Sequence, residues 1–198
     1  MSFRIIGTGS FLPQKVLTND DLSHMVETSD EWITKRVGVK ERRVCTTETN
    51  TDMGVAAALA ALEDSGVKPE ELDLIIGATI SADTISPGLA GMVQNRIGAA
   101  CPCFDMNVAC PGFLFALEVA DGFFVKKTVK KVLVVSAERM SGLIDWTDRS
   151  TCVIFGDGAG AAVLGEGDSY LASELHTAGG DDVISIPTWW DNSPFYGH

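Results

Sequence analysis

No apolar run in the sequence approaches the ~20 residues needed to cross a bilayer, so a membrane span is not expected. The first residues, MSFRIIGTGSFLP, hold only a short apolar stretch broken by glycines, unlike the apolar core of a secretory signal, and point to a cytoplasmic protein. Positive charge is scarce. Fifteen Lys and Arg against 27 Asp and Glu give a net charge of −12, which repels polyanions and argues against nucleic acid as the main ligand. Five cysteines (Cys45, Cys101, Cys103, Cys110, Cys152) form no repeating framework, and in a reducing compartment they stay thiols. None has the paired spacing or nearby histidine of a zinc site, so no metal is expected. Linkers, repeats and low-complexity segments are also missing.

What is present fits one α/β domain over residues 1–198, long enough to bury a substantial core: 45% hydrophobic, 21% charged, 20 glycines. FRIIGTG (3–9) reads as a strand. The stretch TNDDLSHMVETSDEWITKRVG reads as two short helices with cap-type residues Asn19 and Ser29 and a terminal Gly38. Asp52–Ser65 is alanine-rich with helical spacing, and Gly66 stands where a C-terminal cap belongs. Strand, helix, strand, helix and strand then follow at 72–80, 88–98, 103–109, 111–127 and 131–137. That alternation predicts a largely parallel sheet with helices on both faces. TCVIFGDGAGAAVLGEG reads as two strands joined by glycines, with no helix between them.

Basic residues gather at Lys35, Arg36, Lys40, Arg42 and Arg43, where a localised anion site stays open, and at Lys126, Lys127, Lys130 and Lys131, read as a solvated helix end.

The chemistry-bearing stretch is NVACPGF, residues 107–113. Cys110 falls at the carboxyl end of a predicted strand, where ligands collect in such sheets. Pro111 suits the first helical position, which makes Cys110 the expected N-cap, its sulfur facing the positive end of the helix dipole. That field favours thiolate, the nucleophile, and Gly112 leaves room for a substrate beside the backbone. Set against this, an unpaired cysteine is commonly just a small buried hydrophobe. FGDGAGA (155–161) contains G-x-G-x-x-A but lacks the following helix that a dinucleotide fingerprint must open, so no nucleotide cofactor is assigned.

GTGSFLP, TSDEWITKRVGVKERR, VACPGF and DRSTCVIFGDGAGAAVL, in this order, closely resemble β-ketoacyl-acyl-carrier-protein synthase III, a thiolase-like condensing-enzyme family. The resemblance implies a fold of layered helices around a mostly parallel mixed sheet, the first of two family halves. It also implies decarboxylating condensation of an acyl-CoA primer with malonyl-carrier protein, through an acyl group on Cys110. It implies that Trp32 and Arg149 sandwich the adenine of CoA while Arg36 assists at the nucleotide end. CoA enters as substrate, no cofactor is needed, and a homodimer is expected.

The family's catalytic histidine and asparagine belong to its second half, which this chain lacks, so a fragment that could at most acylate Cys110 is expected. His24, His176 and His198 receive no role. Ser86 stands where relatives often carry a larger residue at the base of the acyl pocket, contributed across the dimer, and its small size would admit longer primers. The alternatives are a related acyltransferase of secondary metabolism and a non-catalytic partner subunit.

Overall fold

A computed structural model of the chain describes residues 2–180, 182, 185 and 186; His198 lies outside the described residues. The elements are β1 (Ser2–Phe11), β2 (Lys15–Thr18), α1 (Asn19–Ser23), α2 (Asp30–Arg36), β3 (Glu41–Val44), α3 (Asn50–Ser65), β4 (Leu74–Ala78), α4 (Leu89–Ile97), β5 (Cys103–Met106), α5 (Gly112–Val125), β6 (Lys131–Arg139), α6 (Arg149–Cys152) and β7 (Asp157–Gly167). None of the described helices is long and apolar enough to cross a membrane.

β1, β7, β6, β4 and β5 lie side by side in that order. β4 runs parallel to β5 and β6, whereas β7 is antiparallel to both β6 and β1. Four of the five strands therefore point the same way, and the sheet is mixed but mostly parallel, as expected. β4 is buried along its whole length, which its unbroken apolar run LIIGA requires of a central strand. β4 connects outward through α4 to β5, and β5 returns through α5 past β4 to β6. Because parallel crossovers are right-handed, this reversal places the two helices on opposite faces. Accordingly α3 and α4 share one apolar core, and α5 packs in the other. A small third core joins α1, α2 and α6 through Leu22, Ile33, Cys152 and Val153.

α3 lies close against β1. A Cβ on Gly7 would lie 2.6 Å from the Ala61 carbonyl oxygen, and one on Gly9 would meet the Ala57 carbonyl closer still. Only glycine lets the alanine face of α3 settle on this strand. Gly66 and Gly98 end α3 and α4 in the left-handed conformation, with φ of 67° and 79°.

Three expectations change. Thr18, not Asn19, caps α1; it accepts from the Asp21 N–H while the Asp21 carboxylate accepts from the Thr18 N–H. Thr49 and Asp52 do the same at α3, so that helix begins two residues before Asp52. The segment 151–167 is not a strand pair: Thr151 and Cys152 finish α6, and Asp157–Gly167 is one strand of 11 residues. The Asp148 side chain caps α6 by accepting from the Ser150 N–H, a local signal that favours a helical turn there.

Candidate active site

β5 ends at Met106 at the carboxyl edge of the sheet, and the chain reaches α5 through residues 107–111. Ala109 has φ of 51°, a left-handed conformation that costs a non-glycine residue free energy and bends the chain sharply. The Gly112 N–H closes this turn by donating to the Ala109 carbonyl at 3.0 Å. Cys110 sits inside the turn. The turn displaces the cap by one residue: Pro111 is the N-cap, and Cys110 precedes it instead of capping α5 itself. Its thiol still lies at the N-terminal end of a helix of 14 residues.

Cys110 is exposed, unlike the other four cysteines. Burial pushes the thiols of Cys101, Cys103 and Cys152 up, and it pushes Cys45 up to about 12, with the Asp157 carboxylate adding to the rise. The four are thus poor thiolates. Gly112 is buried, and its missing side chain serves packing instead of a substrate: a Cβ there would stand 3.1 Å from that of Ala78 at the end of β4.

Trp32, Arg36 and Arg149 come together. The Arg36 and Arg149 guanidinium carbons each lie 4.9 Å from the centre of the Trp32 ring, a cation–π arrangement built from α2 and α6. Arg149 is further held by a 2.9 Å hydrogen bond from its Nη1 to the Glu27 carbonyl. Trp32 is half-buried against the third core, which orients the ring, while both arginines are exposed. No hydrogen bond, ion pair or cation–π contact joins Cys110 to the trio among the described residues.

His24 is exposed, with Nδ1 2.8 Å from the Asp20 carbonyl, and exposed His176 pairs with Glu174 at 2.9 Å. Ser86 lies in the loop between β4 and α4, beside a hollow of about 350 Å³ lined by Ile85, Pro87, Phe104 and Asp105 among others. Gly158 and Gly160 lie within β7, so residues 157–161 of FGDGAGA are strand and not a phosphate loop, and these glycines do not join two strands.

Reading by sequence missed three residues. Ala109 carries no mark of its strained backbone. Arg42, grouped above with the bases of an open anion site, is 5% exposed and donates to the Val153 carbonyl beside the third core. Asp105 reaches across from β5 to cap α4, its carboxylate accepting from the Leu89 and Ala90 N–H groups at 2.5 and 2.7 Å, a job Gly88 cannot do.

Strand order, crossover helices on both faces and an exposed cysteine before α5 make this a thiolase-like α/β protein. The family described as 3-Oxoacyl-[acyl-carrier-protein (ACP)] synthase III matches residues 104–179, which include Cys110 and Arg149. Curated members of that family match most of this chain at about 50% identity. The chain is 54% identical over 198 residues to the β-ketoacyl-[acyl-carrier-protein] synthase III of Clostridium acetobutylicum, covering 98% of this chain and 61% of that protein. Among solved structures, it resembles the 3-oxoacyl-[acyl-carrier-protein] synthase III of Aquifex aeolicus VF5, with a TM-score of 0.83 and 50% identity over 84% of this chain and 55% of that one. The priming β-ketosynthase of the R1128 polyketide biosynthetic pathway gives a TM-score of 0.82 and 39% identity over 84% and 51% of the two chains. The chain thus spans between half and three-fifths of the length of these relatives.

Proposed function

We propose that this chain supplies the nucleophile and the CoA platform of a 3-oxoacyl-acyl-carrier-protein synthase III, with residues 1–198 forming its N-terminal thiolase-like half. The observation that carries the reading is Cys110, the exposed cysteine of the five, set in a strained turn before α5 and inside the family match. Its thiolate attacks the thioester carbonyl of an acyl-CoA, the oxyanion collapses, and CoA leaves as a thiolate that takes up a proton. A thioester exchanges readily with a thiolate, and the acyl-cysteine keeps the carbonyl activated. In the second stage malonyl-carrier protein loses CO2, and the resulting carbanion attacks the acyl-cysteine and restores the free thiolate.

Trp32 and Arg149 stack on the adenine, and Arg36 binds at the nucleotide end; flat guanidinium and indole faces suit stacking, and guanidinium also pairs with phosphate. The enzyme works as a cytoplasmic homodimer. Edge strand β5 supports the dimer, with Phe104 exposed on it and Ile85 exposed in the neighbouring loop. Likeness to a polyketide priming synthase favours a second reading, in which the same cysteine loads primers for secondary metabolism.

Intact-protein mass spectrometry after mixing the chain with acetyl-CoA tests the reading. One acetyl group is expected, absent in Cys110→Ser. An unmodified wild-type chain, or an adduct that survives in Cys110→Ser, would overturn it.

A further inference from the structure

Arg42 belongs to β3, a short strand open to solvent at Glu41, yet its own side chain is buried. Nη1 and Nη2 both donate to Asn19 Oδ1, at 2.9 and 3.0 Å. Nη2 also donates to the Val153 carbonyl at 2.9 Å, and Nη1 reaches the Leu17 carbonyl at 3.3 Å. Nε is buried without a partner. Every acceptor in this set is neutral. A cation desolvated without a carboxylate to receive it is a poor source of stability, and a well-packed apolar side chain of similar volume does as well or better. Burial also pushes the Arg42 pKa down, which records the same cost.

What the guanidinium supplies is geometry, because its planar fork holds several acceptors at fixed angles. Asn19, itself 1% exposed, extends the link through Nδ2 to the Asp30 carboxylate and the Val39 carbonyl, each at 2.8 Å. Asp30 opens α2, which carries Trp32 and Arg36; Val153 directly follows α6, which carries Arg149. The two helices that meet at the Trp32 ring are thus joined underneath by one guanidinium. An adenine between indole and guanidinium needs about 3.5 Å on each face, or about 7 Å in all. A base that stacks between the two must therefore open the present 4.9 Å contact between Arg149 and Trp32.

We propose that Arg42 is a positioning residue that fixes α2 against α6 and thereby sets the affinity of the Trp32–Arg149 platform for the nucleotide end of CoA. This rests on the reading of that platform given above. The residue touches no ligand and acts through Asn19, Asp30 and Val153.

The test titrates the full chain with CoA and, separately, with adenosine 3′,5′-bisphosphate, well below its melting temperature, while iodoacetamide labelling of Cys110 monitors the rest of the fold. Arg42→Lys keeps the charge and removes the fork. It should weaken both ligands about tenfold, within the range by which residues remote from a ligand alter a coupled site, and leave Cys110 labelling unchanged. Trp32→Ala serves as the reference for loss of the platform. If Arg42→Lys binds both ligands as the wild type does while Trp32→Ala does not, the inference fails and the platform stands. If the wild-type chain binds neither ligand, the platform reading falls and takes this inference with it. Should Arg42→Lys not fold, Asn19→Asp decides: it keeps an acceptor for Arg42 but deletes the donor to Asp30, so weakened binding supports the role and wild-type binding ends it.

Discussion

The space where Gly112 has no side chain is closed by Ala78, 3.1 Å from where a Cβ would lie, so the start of α5 rests directly on the end of β4. This contact fixes the height of the turn that carries Cys110. Gly112→Val should lift the helix start, cost about 1–3 kcal/mol through overpacking and slow labelling of Cys110. Chemical denaturation and iodoacetamide kinetics read the two effects; a variant as stable and reactive as wild type would mean the contact relaxes freely.

Labelling should also separate the five cysteines by pH. Thiolate is the reacting species, so a thiol whose pKa is raised in the fold stays silent until the pH climbs toward that value. Near neutral pH, iodoacetamide should modify exposed Cys110 first, with Cys45, pushed up to about 12, and the fully buried Cys152 well behind it. Peptide mapping of partly labelled protein checks the order, and early modification of Cys45 or Cys152 would contradict it.

Which parts of this fold were legible in the sequence depends on how local their causes are. Ser29 and Gly66 mark helix ends through contacts within one turn, and the sequence places them correctly. Cys110 could be located to within one residue, but its place before the cap follows from the left-handed Ala109, which leaves no compositional trace. The direction of β7 is set by pairing with β1, more than 140 positions away in sequence at Phe3 and Glu166, and an apolar run containing glycines reads the same in either direction. The burial of Arg42 was illegible for a similar reason: in sequence it is one of five clustered bases open to an anion, and only partners at Asn19 and Val153 show it turned inward. The Trp32 platform came from resemblance to the family, since an isolated indole and two separated arginines carry no spacing that predicts their meeting.

The capping box at α3 offers a stability test with a pH signature. Thr49→Ala removes the acceptor for the Asp52 N–H and should cost about 1 kcal/mol. Hydrogen bonding from the Thr49 N–H, followed by the bond and charge of Arg96, lowers the Asp52 pKa. A lowered carboxylate pKa contributes stability that is present above the unfolded value, about 3.9, and is lost as pH falls through the folded value. Asp52→Asn should therefore melt lower than wild type at neutral pH, with the gap narrowing in acid. A gap that widens on acidification would reverse the assignment.

Arg149 combines a cation–π contact with Trp32 and a hydrogen bond to the Glu27 carbonyl, both at the surface. Its removal should therefore cost little stability, because exposed charges contribute little, yet weaken CoA binding about tenfold or more through lost stacking and phosphate attraction. The charge-dependent part should shrink as salt rises. Titration of Arg149→Ala at two ionic strengths, alongside a thermal melt, tests this; a large loss of stability with unchanged affinity would make Arg149 a structural residue.

Glu138 gives the opposite sign. It lies one residue before the end of β6, next to the carboxyl end of β4, where it accepts from the Ile80 N–H at 2.8 Å and from the Ser81 hydroxyl. The Thr79 hydroxyl lies 3.4 Å away and itself accepts from Asn50 Nδ2 at 3.1 Å. Burial outweighs these bonds and raises the carboxyl pKa. A raised carboxyl pKa means that the neutral form suits the fold better: the associated stability is full below the unfolded value, about 4.3, and is lost as pH rises through the folded value. Gln at this position keeps an acceptor for the Ile80 N–H and cannot ionise, while the Ser81 hydroxyl, which already accepts from the Arg139 N–H, can rotate to accept from its amide as well. Glu138→Gln should accordingly melt higher than wild type at neutral pH, and the difference should fade as the pH is brought to about 4, where the wild-type carboxyl is protonated in the fold. Thermal melts across that range decide the matter. If the variant is the less stable protein at neutral pH and recovers in acid, the ionised carboxylate is the form the fold prefers, and its hydrogen bonds outweigh the cost of its burial.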